Sequence, residues 1–321
     1  MVIAAELVSA EFGVIFDMLK LTRFTGNPII SPRTDHPWES KSTFNPAAFN
    51  EGEITHILYR AVDQNGVSRL GYARSQDGSM VDDRRSTPVL EPSSDWEKFG
   101  CEDPRITKLD NTYYVTYTAY SGRGPRVALA STKDFQNYKK HGLIGPDKED
   151  KDCVIFPEKI HGRIAILHRL ESRIQIAYFE NIKDLTQSRD YWTRYLRHFD
   201  DYEVIRSKYP WEERKVGVGP PPIKTEKGWL VIYHGVSIDS TYRTGAVLLD
   251  LDKPTEVLAR TREPFLEPIE NFEKHGVVPN VVFPDGASLR DGTLFVYYGG
   301  ADKVCCVATA PVDELLDNIL A

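Results

Sequence analysis

Apolar and polar positions alternate along this chain in short runs, and five of the runs read alike. They are ITHILYRAV at 54–62, YYVTYTAY at 113–120, RIAILHRL at 163–170, WLVIYHGV at 229–236 and TLFVYYGG at 293–300. Each is rich in β-branched and aromatic residues, and the set recurs at roughly 50 to 65 residues, an interval typical of propeller blades. Each closes on a pair that starts with Tyr or His: Tyr59-Arg60, Tyr117-Thr118, His168-Arg169, Tyr233-His234 and Tyr297-Tyr298. A second alternating run follows in every case, at 69–75, 126–132, 173–179, 244–251 and 304–310. Strand, polar turn (such as 63–66) and second strand together predict a hairpin.

Five hairpins at this spacing predict an all-β fold, a five-bladed β-propeller with short helical segments at the termini. A β-sandwich also strings short strands between turns, but it does not call for five repeats that agree in side-chain register. Near the C-terminus, Val312, Leu315, Leu316 and Ile319 fall at helical spacing and predict a helix that seals or clasps a blade. Residues 1–17 stand outside the repeat. They are read as an N-terminal extension, either a short helix on the body or on a neighbouring subunit, or a translation extension. Residues 18–321 are read as a single catalytic domain. The extension carries Glu6 and Glu11 and no basic leading segment, so it does not read as a signal peptide.

Composition narrows the function. The 321 residues carry a net charge of −7, which argues against a general nucleic-acid or anionic-membrane surface. No run approaches the ~18 apolar residues of a membrane span. Cys101, Cys153, Cys305 and Cys306 lack CxxC spacing and a His at zinc-site distance, so reduced thiols are expected rather than a metal site or a disulfide framework.

Candidate chemistry gathers in a few segments. In FGCEDPRITKL at 99–109, Pro104 biases Asp103 to extended geometry, in a stiff loop beside a strand start. An Asp-Pro turn is the plain alternative. A carboxyl so placed serves as a general acid if shielding raises its pKa. In KVGVGPPP at 215–222, Gly217 and Gly219 permit close backbone approach and three prolines stiffen the loop, with Lys215 upstream and His234 on the next strand. The glycines do not form a nucleotide-phosphate loop. Arg126 follows a glycine-rich turn, and with Arg169, Lys215 and His234 it makes a basic quartet from three blades. In an acidic protein, such a quartet points to a small bound anion, phosphate or a sugar phosphate. A lone Arg or His at a strand end is usually structural; the shared register of Arg60, Arg169 and His234 argues for function. Tyr120, Tyr242 and Tyr298 are candidates to stack on sugar faces. Asn45 and Asp302 border strands and are either sugar-binding or plain turn residues.

At these motifs the sequence resembles glycoside hydrolase family 130, the β-mannoside phosphorylases and related mannosidases. The stretches that carry the resemblance are NPAAF, LYRAV, GCEDPRITKL, DKDCVIFPEKI with LHR, KVGVGPPPIKTEKGWLVIYHGV, YRTGAVLLDL, VVFPDGA and VYYGGADKV, from about residue 25 to residue 312. The resemblance implies a five-bladed β-propeller with Asp103 as the acid. Asp103 would protonate the mannosyl 3-hydroxyl, which passes its proton to the glycosidic oxygen while phosphate attacks the anomeric carbon from the opposite face. The implied product is α-mannose 1-phosphate, formed with inversion. It implies Arg126, Arg169, Lys215 and His234 as the phosphate set, and Asn45, Arg60, Asp302 and Tyr242 around the mannose.

Retention of the cations favours phosphorolysis, because an inverting hydrolase needs a second carboxylate to activate water. The one departure within the pattern is Gly300, where Ala is expected. The reading is thus an inverting β-mannoside phosphorylase, with a β-1,4-manno-oligosaccharide or mannosyl-GlcNAc substrate favoured. The alternatives are β-1,2-linked mannosides, an inverting β-mannosidase and a non-enzymatic sugar-binding propeller. Phosphate is a co-substrate, and no metal or organic cofactor is expected. A homo-oligomer in the cytoplasm is expected, where a charged sugar product cannot leak away.

Overall fold

The computed structural model describes residues 19–321, so the extension read at 1–17 lies outside the described residues. The chain is mostly β, and its strands fall into five antiparallel units, the first four built in sequence order. The first unit comprises Ser42–Glu51, Ile54–Val62, Ser68–Ser75 and Asp83–Arg84; the second Gly100–Leu109, Thr112–Ser121, Gly124–Thr132 and Tyr138–Ile144. A single parallel bridge, Ser68 to Gly100, joins these two into one sheet. The third unit is Asp150–Ile155, Ile164–Leu170, Arg173–Phe179 and Glu203–Ile205. In the fourth, Lys215–Val218 and Ile223–Thr225 both pair with Gly228–Val236, followed by Tyr242–Leu249 and Val257–Arg260. The fifth is Val282–Arg290, Thr293–Gly300 and Val304–Pro311, completed by Thr22–Arg23 from the other end of the chain. All five hairpins expected from the alternation are present.

Alternate residues of a strand face opposite sides of its sheet, and here each side meets a different neighbouring unit. One apolar cluster joins units one and two through Leu58, Leu70, Ile106 and Val115. Others join two and three through Leu129 and Ile166, three and four through Leu167 and Val231, and four and five through Leu248 and Val296. The last joins five back to one, through Val307 and Ile57. The packing is therefore cyclic, although the hydrogen-bonded sheets remain separate.

Tyr and His at the closing pairs are anchors within these layers. Tyr59 donates its hydroxyl hydrogen bond to Glu39 at 2.7 Å, Tyr117 to Glu97 at 2.6 Å, Tyr233 to Glu212 at 2.8 Å and Tyr298 to Glu273 at 2.7 Å. Each glutamate also pairs with a cation of its unit's fourth strand: Arg84, Lys140, Arg260 and Arg23 respectively. The third unit substitutes His168, held between Asp150 and Tyr195 at 2.9 Å each. These anchors correct the register of the fifth repeat: the equivalent pair is Tyr298-Gly299, one residue on from the expected Tyr297-Tyr298.

The helix Val312–Leu320 buries Val312, Leu315, Leu316 and Ile319 against units four and five, the clasping role expected of it. Helices are not confined to the termini, however. Asp184–Gln187 and Arg189–Arg197 lie within the third unit, where Trp192 and Tyr195 are buried. Their apolar stripe is barely two turns long and is flanked by Arg189, Asp190, Arg194 and Arg197, too short to stand out as a helical period. No helix among the described residues is long and apolar enough to cross a membrane.

Candidate active site

Every first strand is interrupted near its start. Register shifts fall between Phe44 and Ala47, Glu102 and Arg105, Lys151 and Val154, and Pro284 and Gly286. In the fourth unit the break is complete, and residues 219–222, Gly followed by three prolines, occupy it. A bulge turns an extra side chain out of the ladder, and here the residues so presented include Asn45, Asp103 and Asp152, with φ of 49°, 51° and 53°. Positive φ is uncommon outside glycine and is tolerated best by Asn and Asp. Asp103 thus sits in a bulge inside a strand, not in the loop expected before one.

Arg105 ties the breaks together. Its guanidinium is buried and donates to the carbonyls of Gly219 at 2.9 Å, Val218 at 3.2 Å and Asp103 at 2.9 Å. It also lies 3.1 Å from Asp152 and 2.8 Å from Asp285. One side chain therefore links four units and fixes the backbone on which Asp103 is carried.

Around the Asp103 carboxyl, Asn45 donates to Oδ1 at 2.8 Å and Arg60 at 3.1 Å, while the Lys151 ammonium is 3.4 Å from Oδ2. Arg60 also holds Glu102 at 2.7 Å, and Ser68 donates to the same Glu102 oxygen at 3.0 Å. Burial alone would push the Asp103 carboxyl up. The charges of Arg60 and Lys151 and the Asn45 hydrogen bond outweigh it and hold the group below the ordinary aspartate range. Asp302, on the turn between the last two strands of the fifth unit, faces the same charges. Burial dominates there, and its carboxyl is raised to about 6.

Beside the acid stands a basic wall. Lys151 and Arg169 are directly opposite each other across neighbouring strands, and Arg169 pairs with Asp152 at 3.0 Å. His234 Nε2 is 3.8 Å from the same Asp152 oxygen, and neither ring nitrogen has a hydrogen-bond partner in the protein. Burial pulls the imidazole well below its usual value, so it stands neutral and not as the cation expected from sequence. Burial and the neighbouring Arg169 bring Lys215 down to about 8; its ammonium lies 5.2 Å over the Tyr242 ring. Burying cations against one another is costly unless an anion joins them, so the wall is suited to bind one.

The structure therefore brings together Asp103, Arg60, Asn45 and Asp302 on one side, and Arg169, Lys215, His234 and Tyr242 on the other. It does not bring Arg126 into that group. Arg126 bonds the Pro125 carbonyl, lies over Trp96 and lines a cleft of about 430 Å³ with Asp147, Arg189 and Trp192. Tyr298 is in the core and Tyr120 is on the surface. Three residues escaped the sequence reading: Lys151, Asp152 and Asp285. Lys151-Asp152 sits at the start of its unit's first strand, as Glu102-Asp103 does, and that equivalence was the available signal.

Comparison with known proteins gives the family. Residues 16–320 match the family model for glycoside hydrolase family 130, described as beta-1,4-mannooligosaccharide phosphorylase. The chain is 39% identical to the 1,2-beta-oligomannan phosphorylase of Thermoanaerobacter sp. (strain X514), covering 93% of this chain and 99% of that one. It is 31% identical to the beta-1,4-mannooligosaccharide phosphorylase of Ruminococcus albus, covering 92% and 90%. Among solved structures, the beta-1,2-mannobiose phosphorylase of Listeria innocua in complex with beta-1,2-mannobiose superposes with a TM-score of 0.81 at 29% identity, covering 94% of this chain and 99% of that one. The chain belongs to glycoside hydrolase family 130, a family of mannoside phosphorylases, and is an enzyme of that kind.

Proposed function

We propose that this enzyme cleaves β-1,2-linked mannosides with inorganic phosphate, inverting the anomeric centre to release α-mannose 1-phosphate. The observation that carries phosphorolysis is the wall of Lys151, Arg169, Lys215 and His234 set beside the acid Asp103. Phosphate supplies its own nucleophilic oxygen and requires charge clamping, which this wall provides. Asn45, Arg60, Asp302 and Tyr242 surround the mannosyl unit, and Arg126, over Trp96 and outside this group, takes no part in the reading.

The linkage departs from the sequence expectation of β-1,4. The relative named for β-1,2 chains is 39% identical, against 31% for the one named for β-1,4 chains, and the solved structure of a β-1,2 enzyme covers nearly the whole chain. The motifs read from the sequence concern mannose and phosphate, whereas linkage depends on the acceptor side of the pocket, which they do not describe.

The five units are read as blades of a five-bladed β-propeller. The cyclic packing supports this, as does a pocket at the far ends of the first strands, which Asn50, Lys108, Pro157, Pro222 and Leu289 line together, one from each unit. The deciding experiment is phosphate-dependent turnover of β-1,2-mannobiose against β-1,4-mannobiose. A preference for the β-1,4 substrate would overturn the linkage.

A further inference from the structure

Asp103 has a difficulty as an acid. Its carboxyl faces Asn45, Arg60, Glu102, Arg105, Lys151, Asp285 and Asp302, and the cations among these keep it charged in the free enzyme. An ionised carboxylate has no proton to give to a leaving oxygen.

Lys151 is the partner that can change. Arg60 is fixed by three further attachments, to Ser68, to Glu102 and over the Phe44 ring. Lys151 has one loose contact to the acid, at 3.4 Å, and its side chain is 27% exposed where that of Asp103 is 3% exposed. Its strand position is opposite Arg169, so its flexible stem lies between the acid and the anion-binding wall. The charges of Asp103 and Asp152 both act on it, against the opposing charge of Arg169.

We propose that Lys151 couples phosphate binding to the arming of Asp103: with phosphate on Arg169, Lys215 and His234, the Lys151 ammonium turns to the anion, and Asp103 then takes a proton from solvent. This rests on the reading of the wall as a phosphate site. The balance is simple. The proton taken up by Asp103 ends on the departing glycosidic oxygen as that C–O bond breaks, a phosphate oxygen bonds to the anomeric carbon, and Asp103 returns to the carboxylate. Without phosphate the acid stays unarmed, so the bond is not wasted on water.

Linkage makes the coupling measurable, because a ligand that promotes protonation must take up protons when it binds. Inorganic phosphate is titrated calorimetrically into the enzyme without mannoside, at one weakly acidic pH, in buffers of different ionisation enthalpy. The wild type is expected to absorb a measurable fraction of a proton more per phosphate than Asp103→Asn. Lys151→Met should lose that excess and bind phosphate more weakly, and Lys151→Arg should restore both. Equal proton uptake by wild type and Asp103→Asn, with phosphate bound by each, overturns the coupling alone. No phosphate binding by the wild type overturns the phosphate reading itself, and the coupling with it. Infrared difference spectra of the wild type give a reading free of variants. Phosphate should bring up a new protonated-carboxyl band; no new band in the wild type contradicts the proposal.

Discussion

Gly217 lies directly opposite His234 across two strands of the fourth unit, so close that a methyl on Gly217 would stand 2.4 Å from the imidazole Cε1 and 2.5 Å from Asp152 Oδ2. Both neighbours are buried. Gly217→Ala is therefore expected to displace the imidazole, at a cost of about 1–3 kcal/mol. Phosphate affinity should fall while the secondary structure stays intact. Circular dichroism with phosphate titration checks this, and an unchanged phosphate KM would count against the placement of His234 at the anion site.

Lys215 sets an alkaline limit. With its pKa brought down to about 8, it is charged below that pH and neutral above it, so apparent phosphate affinity should weaken as pH rises through 8 and beyond. A bound anion favours the charged form and moves the limit upward. Lys215→Met should lose the pH limb and weaken phosphate binding about 10- to 100-fold, the range of a charge-assisted hydrogen bond of about 1.5–3 kcal/mol. Phosphate KM measured against pH for both proteins is the test.

Asp302 sets an acid limit on the sugar side. A carboxyl raised to about 6 is protonated below that pH and then loses acceptor capacity for mannosyl hydroxyls. Mannoside KM should therefore rise as pH falls through 6. Asp302→Asn should raise it at every pH and remove the limb, leaving phosphate KM nearly unchanged.

The buried anchors predict stability effects separable from chemistry. Tyr233→Phe removes a donor to Glu212 and an acceptor for Arg260, and should destabilise by about 1–3 kcal/mol. Glu212→Ala leaves Arg260 and Tyr233 without their shared partner and should cost more, about 3–5 kcal/mol. Denaturant unfolding of both variants orders them.

Much of the fold was legible because strand alternation reports burial directly, and the repeated Tyr or His marked the anchor of each unit. The partner motif went unread: Trp38-Glu39, Trp96-Glu97, Trp211-Glu212 and Phe272-Glu273 supply the four glutamates just ahead of their first strands. Pairing them with the tyrosines would have fixed the register of the fifth repeat. In the site, Arg60, Arg169, Lys215 and His234 were readable from their register and neighbours. Lys151 was missed, because its partner Asp103 lies 48 positions earlier in another unit and only the equivalence of Lys151-Asp152 to Glu102-Asp103 marks its strand position. Burial decides the charge of His234, and the residue type alone does not reveal it.

The central claim is that phosphate, not water, breaks the mannosidic bond. Phosphorus NMR of the wild-type enzyme with β-1,2-mannobiose and inorganic phosphate tests it most directly. The account predicts that inorganic phosphate is consumed and an α-mannose 1-phosphate resonance grows in equal amount, with no turnover when phosphate is withheld. Release of free mannose at the same rate with and without phosphate would contradict it.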